Sequence, residues 1–192
     1  MKKFFGLPAV FTFALILAAC STPPTEEMNR AYDAVIRAEN DANAVLYAPN
    51  ILIRARDALV RMEAEVDAKR YDAAKNFAAE AVSNAERAIA EGRAGAERAR
   101  EEAANLINSL SGPLEETSNA VGTAGGMDGL ELDFDTLLDY LDLTHQTYNE
   151  ARQNLDADNF PDAIAEGQAV RSLLSDINAQ LTEAALAASR KQ

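Results

Sequence analysis

Tryptophan is absent from this 192-residue sequence, and cysteine and histidine occur once each. A single cysteine excludes an internal disulfide, so stability has to come from packing. One histidine and one cysteine cannot make up the donor set of a structural zinc site. Basic residues are scarce: 18 Lys and Arg stand against 31 Asp and Glu, a formal charge of −13. Such a surface repels phosphate backbones, which argues against nucleic acid as a partner, and it disfavours docking on anionic lipid head groups. β-Branched and aromatic residues are sparse beyond residue 20, whereas alanine makes up about a fifth of the chain. That is helix chemistry rather than sheet chemistry, so the expected fold class is all-α. Also missing are Gly-x-Ser-x-Gly, a Walker loop, a dinucleotide fingerprint and His-Glu-x-x-His. On this reading the chain is not an enzyme and takes no cofactor.

The longest apolar run is short and lies at the start. Met1-Lys2-Lys3 is followed by apolar residues from Phe4 to Leu17, interrupted by Gly6, Pro8 and Thr12, and the run ends Leu17-Ala18-Ala19-Cys20. A positive start, an apolar core and a small-residue exit make an export signal. The run falls short of the roughly 20 residues that a spanning helix needs. Leu17-Ala18-Ala19-Cys20 resembles the lipobox of bacterial lipoproteins. The resemblance implies cleavage between Ala19 and Cys20 and acylation of Cys20, with the membrane as a partner through that lipid. One acyl chain holds a protein only marginally, and two or three hold it durably. Ser21, where Asp would favour the inner membrane, implies the outer membrane and a body facing the periplasm. Removal of Lys2 and Lys3 would leave a chain with a formal charge of −15.

The organisation expected beyond the signal (1–19) is a Pro-containing tether (20–24), an Ala-rich three-helix domain (25–110), a Gly-rich linker (111–133) and an acidic helical hairpin (134–190). Thr25 looks like a helix cap with Glu26 and Glu27 in the first turn, and Met28, Tyr32, Val35, Ala42 and Leu46 keep three- and four-residue steps over 25–47. Pro49 suits the first turn of a second helix, 49–68. A third, from Tyr71, carries Ala74, Ala78, Ala81, Ala85 and Ala88 in register, with Gly92 and Gly95 as expected kink sites. Gly112, Pro113, Gly122, Gly125, Gly126 and Gly129 suggest a flexible connection. Further helices are expected at 135–157 and 160–187, around the turn Asp158-Asn159-Phe160-Pro161.

The two hairpins align at an offset of 89: Tyr71-x-x-Ala74 matches Phe160-x-x-Ala163, Ala81 matches Val170, Ala85 matches Leu174 and Ala88 matches Ile177. Aromatic-x-x-Ala at a corner resembles tetratricopeptide repeats, whose period is 34. The expectation is therefore an elongated set of antiparallel, tetratricopeptide-like hairpins, not a repeat array. The stretch Ala31 to Ala99, with Ala48-Pro49, Ala55-x-x-Ala58-Leu59 and the alanine series after Tyr71, also resembles a bacterial lipoprotein family of unknown function. That resemblance implies a helical periplasmic body and assigns no activity.

Two groupings carry candidate chemistry. His145, with Asp142 and Asn149 one turn either side, could serve acid–base work, but a half-exposed polar residue beside an apolar stripe needs no such role. Glu131, Asp133, Asp135, Asp139 and Asp142 imitate calcium-loop spacing, but Thr136 stands where such a loop needs Gly. Asp133 and Asp135 read better as caps, and the others as a solvated face. The function expected is a non-catalytic scaffold or adaptor for a protein partner in the cell envelope. Small-ligand binding, a transport-accessory role and peptidoglycan association are the alternatives.

Overall fold

Small residues recurring every third or fourth position decide how closely the helices of the first half approach. In the computed structural model, which describes residues 22–127 and 130–190, six helices follow in order: α1 (Thr25–Glu39), α2 (Ala42–Tyr47), α3 (Pro49–Asp67), α4 (Tyr71–Gly125), α5 (Phe134–Asp156) and α6 (Phe160–Ser189). No strand occurs among the described residues. The fold is all-α. At 1.5 Å per residue the 55 residues of α4 extend about 80 Å, and every other helix packs against it.

Two bundles share this spine. In the first, α1 and α2 run parallel to α4 at a constant offset of 48. Glu27 lies 3.7 Å from Lys75, Ala44 abuts Gly92, and Tyr47 abuts Gly95. Helix α3 runs antiparallel to both, with Arg56 bonded to Glu39 at 2.6 Å and Arg61 stacked 5.9 Å from the Phe77 ring. The seam is alanine from three sides: Ala31, Ala34 and Ala38 of α1, Ala55 and Ala58 of α3, and Ala74 to Ala88 of α4, with Met62 and Leu52 as the bulk. In the second bundle α5 runs antiparallel to α4 and α6 runs parallel to it. Leu106 meets Gly167, and Thr117 bonds Asn178, both at an offset of 61. Leu, Ile and Val fill this seam. Helices α1–α3 make no contact with α5 or α6.

The offset of 89 extends to the backbone. Lys69 and Asp158 are the non-glycine residues with positive φ among those described, at 56° and 58°. Around each, the amide six residues into the turn returns to the last helical carbonyls: Arg70 N–H to Glu65 and Asn159 N–H to Asn154, both 2.8 Å. This is the six-to-one bond of a Schellman ending. Buried positions coincide as well, Met62 with Ala151, Ala74 with Ala163 and Ala88 with Ile177.

Four expectations need correction. The segment 25–47 is not one helix. It breaks at Asn40, whose side-chain amide donates to the Ile36 carbonyl at 2.9 Å, and restarts where the Asp41 carboxylate accepts from Ala44 N–H at 2.9 Å. Thr25 is the first helical residue rather than the cap. Pro24 precedes it, and the Thr25 hydroxyl donates to the Pro23 carbonyl. The linker at 111–133 is not a linker over most of its length, because α4 continues through Pro113 to Gly125. Its reason is a buried seam, Leu106, Leu110, Leu114, Thr117, Val121 and Ala124, at helical spacing, whose burial against α5 and α6 outweighs the local cost of Gly and Pro. The domain boundary at 110 therefore falls inside a helix. Finally, Gly92 and Gly95 serve as a docking platform rather than as kinks. A Cβ at Gly92 would lie 2.5 Å from Ala44 N, and one at Gly95 would lie 2.5 Å from the Tyr47 Cβ. Without side chains there, α2 can lie on the α4 backbone.

Candidate partner-docking groove

A concavity lies at the far tip of the spine, where the last turns of α4 and α6 run side by side under the segment entering α5. It measures about 490 Å³ and is lined by Ala120, Thr123, Ala124, Met127, Leu130, Leu132, Leu181, Ala184, Ala185, Ala188 and Ser189. Alanines on both parallel helices keep its walls low, and Leu132 and Leu181 close its floor against Val121 and Ile177. No charged side chain lines it. Its two hydroxyls are already bonded within their own helices, Thr123 to the Asn119 carbonyl at 2.8 Å and Ser189 to the Leu186 carbonyl at 2.9 Å. What remains is a mainly apolar trough with no charged side chain to orient a small polar ligand.

Of the acids singled out by spacing, Glu131 and Asp133 line a hollow that shares Leu132 and Ala184 with this groove, and the others lie along α5. Asp133 is the α5 cap. Its carboxylate accepts from Thr136 N–H at 3.2 Å and from the Thr136 hydroxyl at 2.8 Å, and these bonds, the hydroxyl first, hold its pKa below the usual carboxylate value. Asp135 sits in the first helical turn, facing the positive end of the helix dipole. Asp139 and Asp142 lie exposed on α5. No group of three acid or histidine side chains suited to a metal ion occurs among the described residues. Thr136, the residue at odds with a calcium loop, belongs to the helix start.

His145 pairs with neither Asp142 nor Asn149. Its Nε2 lies 3.1 Å from the Ser118 hydroxyl of α4, a partner that the sequence reading missed because it is 27 residues away. Ser118 Oγ also donates to the Leu114 carbonyl at 2.7 Å. The serine thus bridges the Leu114 carbonyl of its own helix and the imidazole of α5. The pair therefore ties α4 to α5. Nearby, Thr117 accepts from Asn178 Nδ2 at 2.9 Å, a buried hydroxyl satisfied across the α4–α6 seam.

Ala19, Cys20 and Ser21, the expected cleavage, acylation and sorting positions, lie outside the described residues, as does the rest of the expected signal at 1–19. Among the described residues no helix is long and apolar enough to cross a membrane.

Residues 26–106 match the model of a family described as a domain of unknown function, DUF4398. The DUF4398 match takes in the first bundle and ends at Leu106, where α4 has begun to contact α6. It contains the alanine series, the α2 platform and the first of the two corners. The groove, α5 and α6 lie beyond it. Neither the curated proteins nor the solved structures contain a match to this chain.

Proposed function

We propose that this protein is a lipid-anchored envelope protein, cleaved behind Ala19 and acylated on Cys20, whose helical body is a non-catalytic scaffold or adaptor for a protein partner. The observation that carries the reading is the disposition of the two ends. Helix α1 begins at Thr25, five residues after Cys20, and its first turn lies level with Lys75 of α4. The groove begins at Ala120, 45 residues further along the same helix, which is about 70 Å at 1.5 Å per residue. A lipid at Cys20 would hold one end at a membrane, and the outer membrane is the one Ser21 favours. The spine would then present the apolar trough far from that surface, toward the periplasm. The solid alanine seam of the first bundle supports a spacer better than a ligand carrier.

Two measurements test the reading. The full-length protein and a Cys20→Ser variant are expressed with labelled palmitate in the cell of origin and fractionated. The wild type is expected to carry label and pellet with membranes, and the variant to lose both; a variant that still pellets would overturn the anchor. Crosslinking and pull-down from detergent-solubilised envelope should then recover a stoichiometric protein. Repeated recovery of none would overturn the scaffold.

A further inference from the structure

The tip of the spine is predominantly acidic. No Lys or Arg occurs between Arg100 and Arg152, or between Arg171 and Arg190, while these stretches hold 11 and 2 Asp or Glu. They form the distal part of α4, most of α5 and the end of α6, the elements that build and surround the groove. Exposed apolar side chains occur on these elements, Met127 at 60%, Leu186 at 53% and Leu138 at 49%, as they do on α1–α3. Among the described residues of these elements the one cation at the tip is Arg190, beside Ser189 at the end of α6, so an uncharged trough lies within a predominantly acidic surface that selects by both properties at once.

We propose that the groove docks a helical segment of a protein partner that carries large apolar side chains on one face and Lys or Arg beside them. This rests on the scaffold reading and names the partner's chemistry. The apolar face would fill the trough between the alanines of α4 and α6, as amphipathic helices fill grooves elsewhere. The flanking cations would face Asp133 and Glu183, both exposed, which line an adjoining hollow that shares Leu132 and Ala184 with the trough. Charge complementarity decides against the other occupants. Fatty acids and phospholipids bring anionic heads to an acidic rim. A second copy brings the same acidic tip. The chain's own arginine-rich stretch, Arg87 to Arg100, has its small-residue face at Ala88, Gly92 and Gly95 already buried in the first bundle.

The test uses the acylated full chain in detergent and a fluorescein-labelled 15-residue peptide with leucine at three- and four-residue steps and lysine elsewhere. Fluorescence anisotropy gives its affinity. Ala185→Phe fills an exposed part of the lining, and Thr123→Arg places a cation in it; circular dichroism establishes that each still folds. Each variant is expected to weaken binding about tenfold or more, a difference of about 1.4 kcal/mol. Replacing the peptide's lysines with glutamate, or its leucines with serine, is expected to weaken it as much. Glu26→Lys with Glu27→Lys, at the opposite end, is expected to leave it unchanged. Equal affinity for the groove variants, equal affinity of the glutamate peptide, displacement by oleate, or displacement by unlabelled protein through self-association would each overturn the proposal. Envelope pull-down with the same variants separates the two levels. A partner retained by both groove variants defeats the groove and leaves the scaffold standing. A partner recovered by no form defeats the scaffold, while the peptide titration still judges the groove.

Discussion

The glycines of α4 give one substitution opposite signs at two positions in the same helix. Gly92→Ala and Gly112→Ala each add one methyl group, and each gains about 1 kcal/mol of helix propensity. At Gly112 nothing lies within 4 Å of the new Cβ, so that gain should appear whole. At Gly92 the Cβ meets Ala44 N at 2.5 Å, the Asn43 carbonyl carbon at 2.6 Å and Ala44 Cα at 2.7 Å. All three are backbone atoms, which cannot swing aside as a side chain would, and ordinary contact begins at 3.4 Å. Helix α2 must therefore lift by about 1 Å, a gap that forfeits a quarter to a half of the dispersion attraction across it. Overpacking costs about 1–3 kcal/mol, and backbone against backbone places this site in the upper half of that range. Net of propensity, Gly92→Ala should lose about 1–2 kcal/mol, so the two variants should differ by about 2–3 kcal/mol. At roughly 2–4 °C per kcal/mol for a chain of this size, their Tm values should lie about 4–12 °C apart on either side of wild type. Thermal unfolding followed at 222 nm measures both. A Gly92→Ala protein that melts at or above wild type would refute the close approach of α2 to α4.

Three further outcomes follow from particular contacts. Pro113→Ala restores an amide that can donate to the Ser109 carbonyl inside α4, and it should raise stability by about 1–3 kcal/mol in urea unfolding and increase hydrogen-exchange protection around the site; a loss of stability would show that the second bundle depends on the proline. Tyr32 donates to Glu63 at 2.6 Å, and this bond, ahead of burial and the carboxylate charge, pushes its pKa from 10.0 up to about 12. The folded state binds that proton more tightly than the unfolded chain, so the support is full below pH 10 and is lost between 10 and about 12. Tyr32→Phe should flatten this alkaline decline in Tm, and an unchanged slope would count against the bond. Asp133 is shifted the other way, so its support is full above the ordinary carboxylate range and is lost as pH falls through its lowered pKa. Asp133→Asn should remove that part of the acid-side decline in Tm while circular dichroism shows α5 intact.

The hairpins were legible because their signals are local and redundant. Ala74, Ala78, Ala81, Ala85 and Ala88 mark one face, and Pro49 marks a start. Asp158-Asn159 marks a turn that the backbone repeats at Lys69-Arg70. The course of α4 was misread because Gly112, Pro113, Gly122 and Gly125 are strong local breakers, whereas the seam that overrides them is tertiary. Thr117 also interrupts that seam in the sequence, since nothing local shows that Asn178 will satisfy its hydroxyl. The break at Asn40-Asp41 was written in two capping residues and was outweighed by the apolar periodicity running through it. The groove had no signature of its own. Its walls are alanines from segments some 60 residues apart, brought level by the parallel run of α4 and α6.

The shared spine also governs how the molecule bears force. A pull between Thr25 and the end of α6 is directed along the axis, since α1 and α2 run parallel to α4 and α6 runs parallel to it again. Tension must pass sideways from α1 and α2 into α4 and then from α4 into α6. Both transfers load their seams in shear, so the contacts along each resist together instead of peeling one at a time. Between the two seams the load is carried by α4 as one uninterrupted helix. The molecule is built as a tie rod, with its breaking strength set by the alanine seam at one end and the leucine seam at the other.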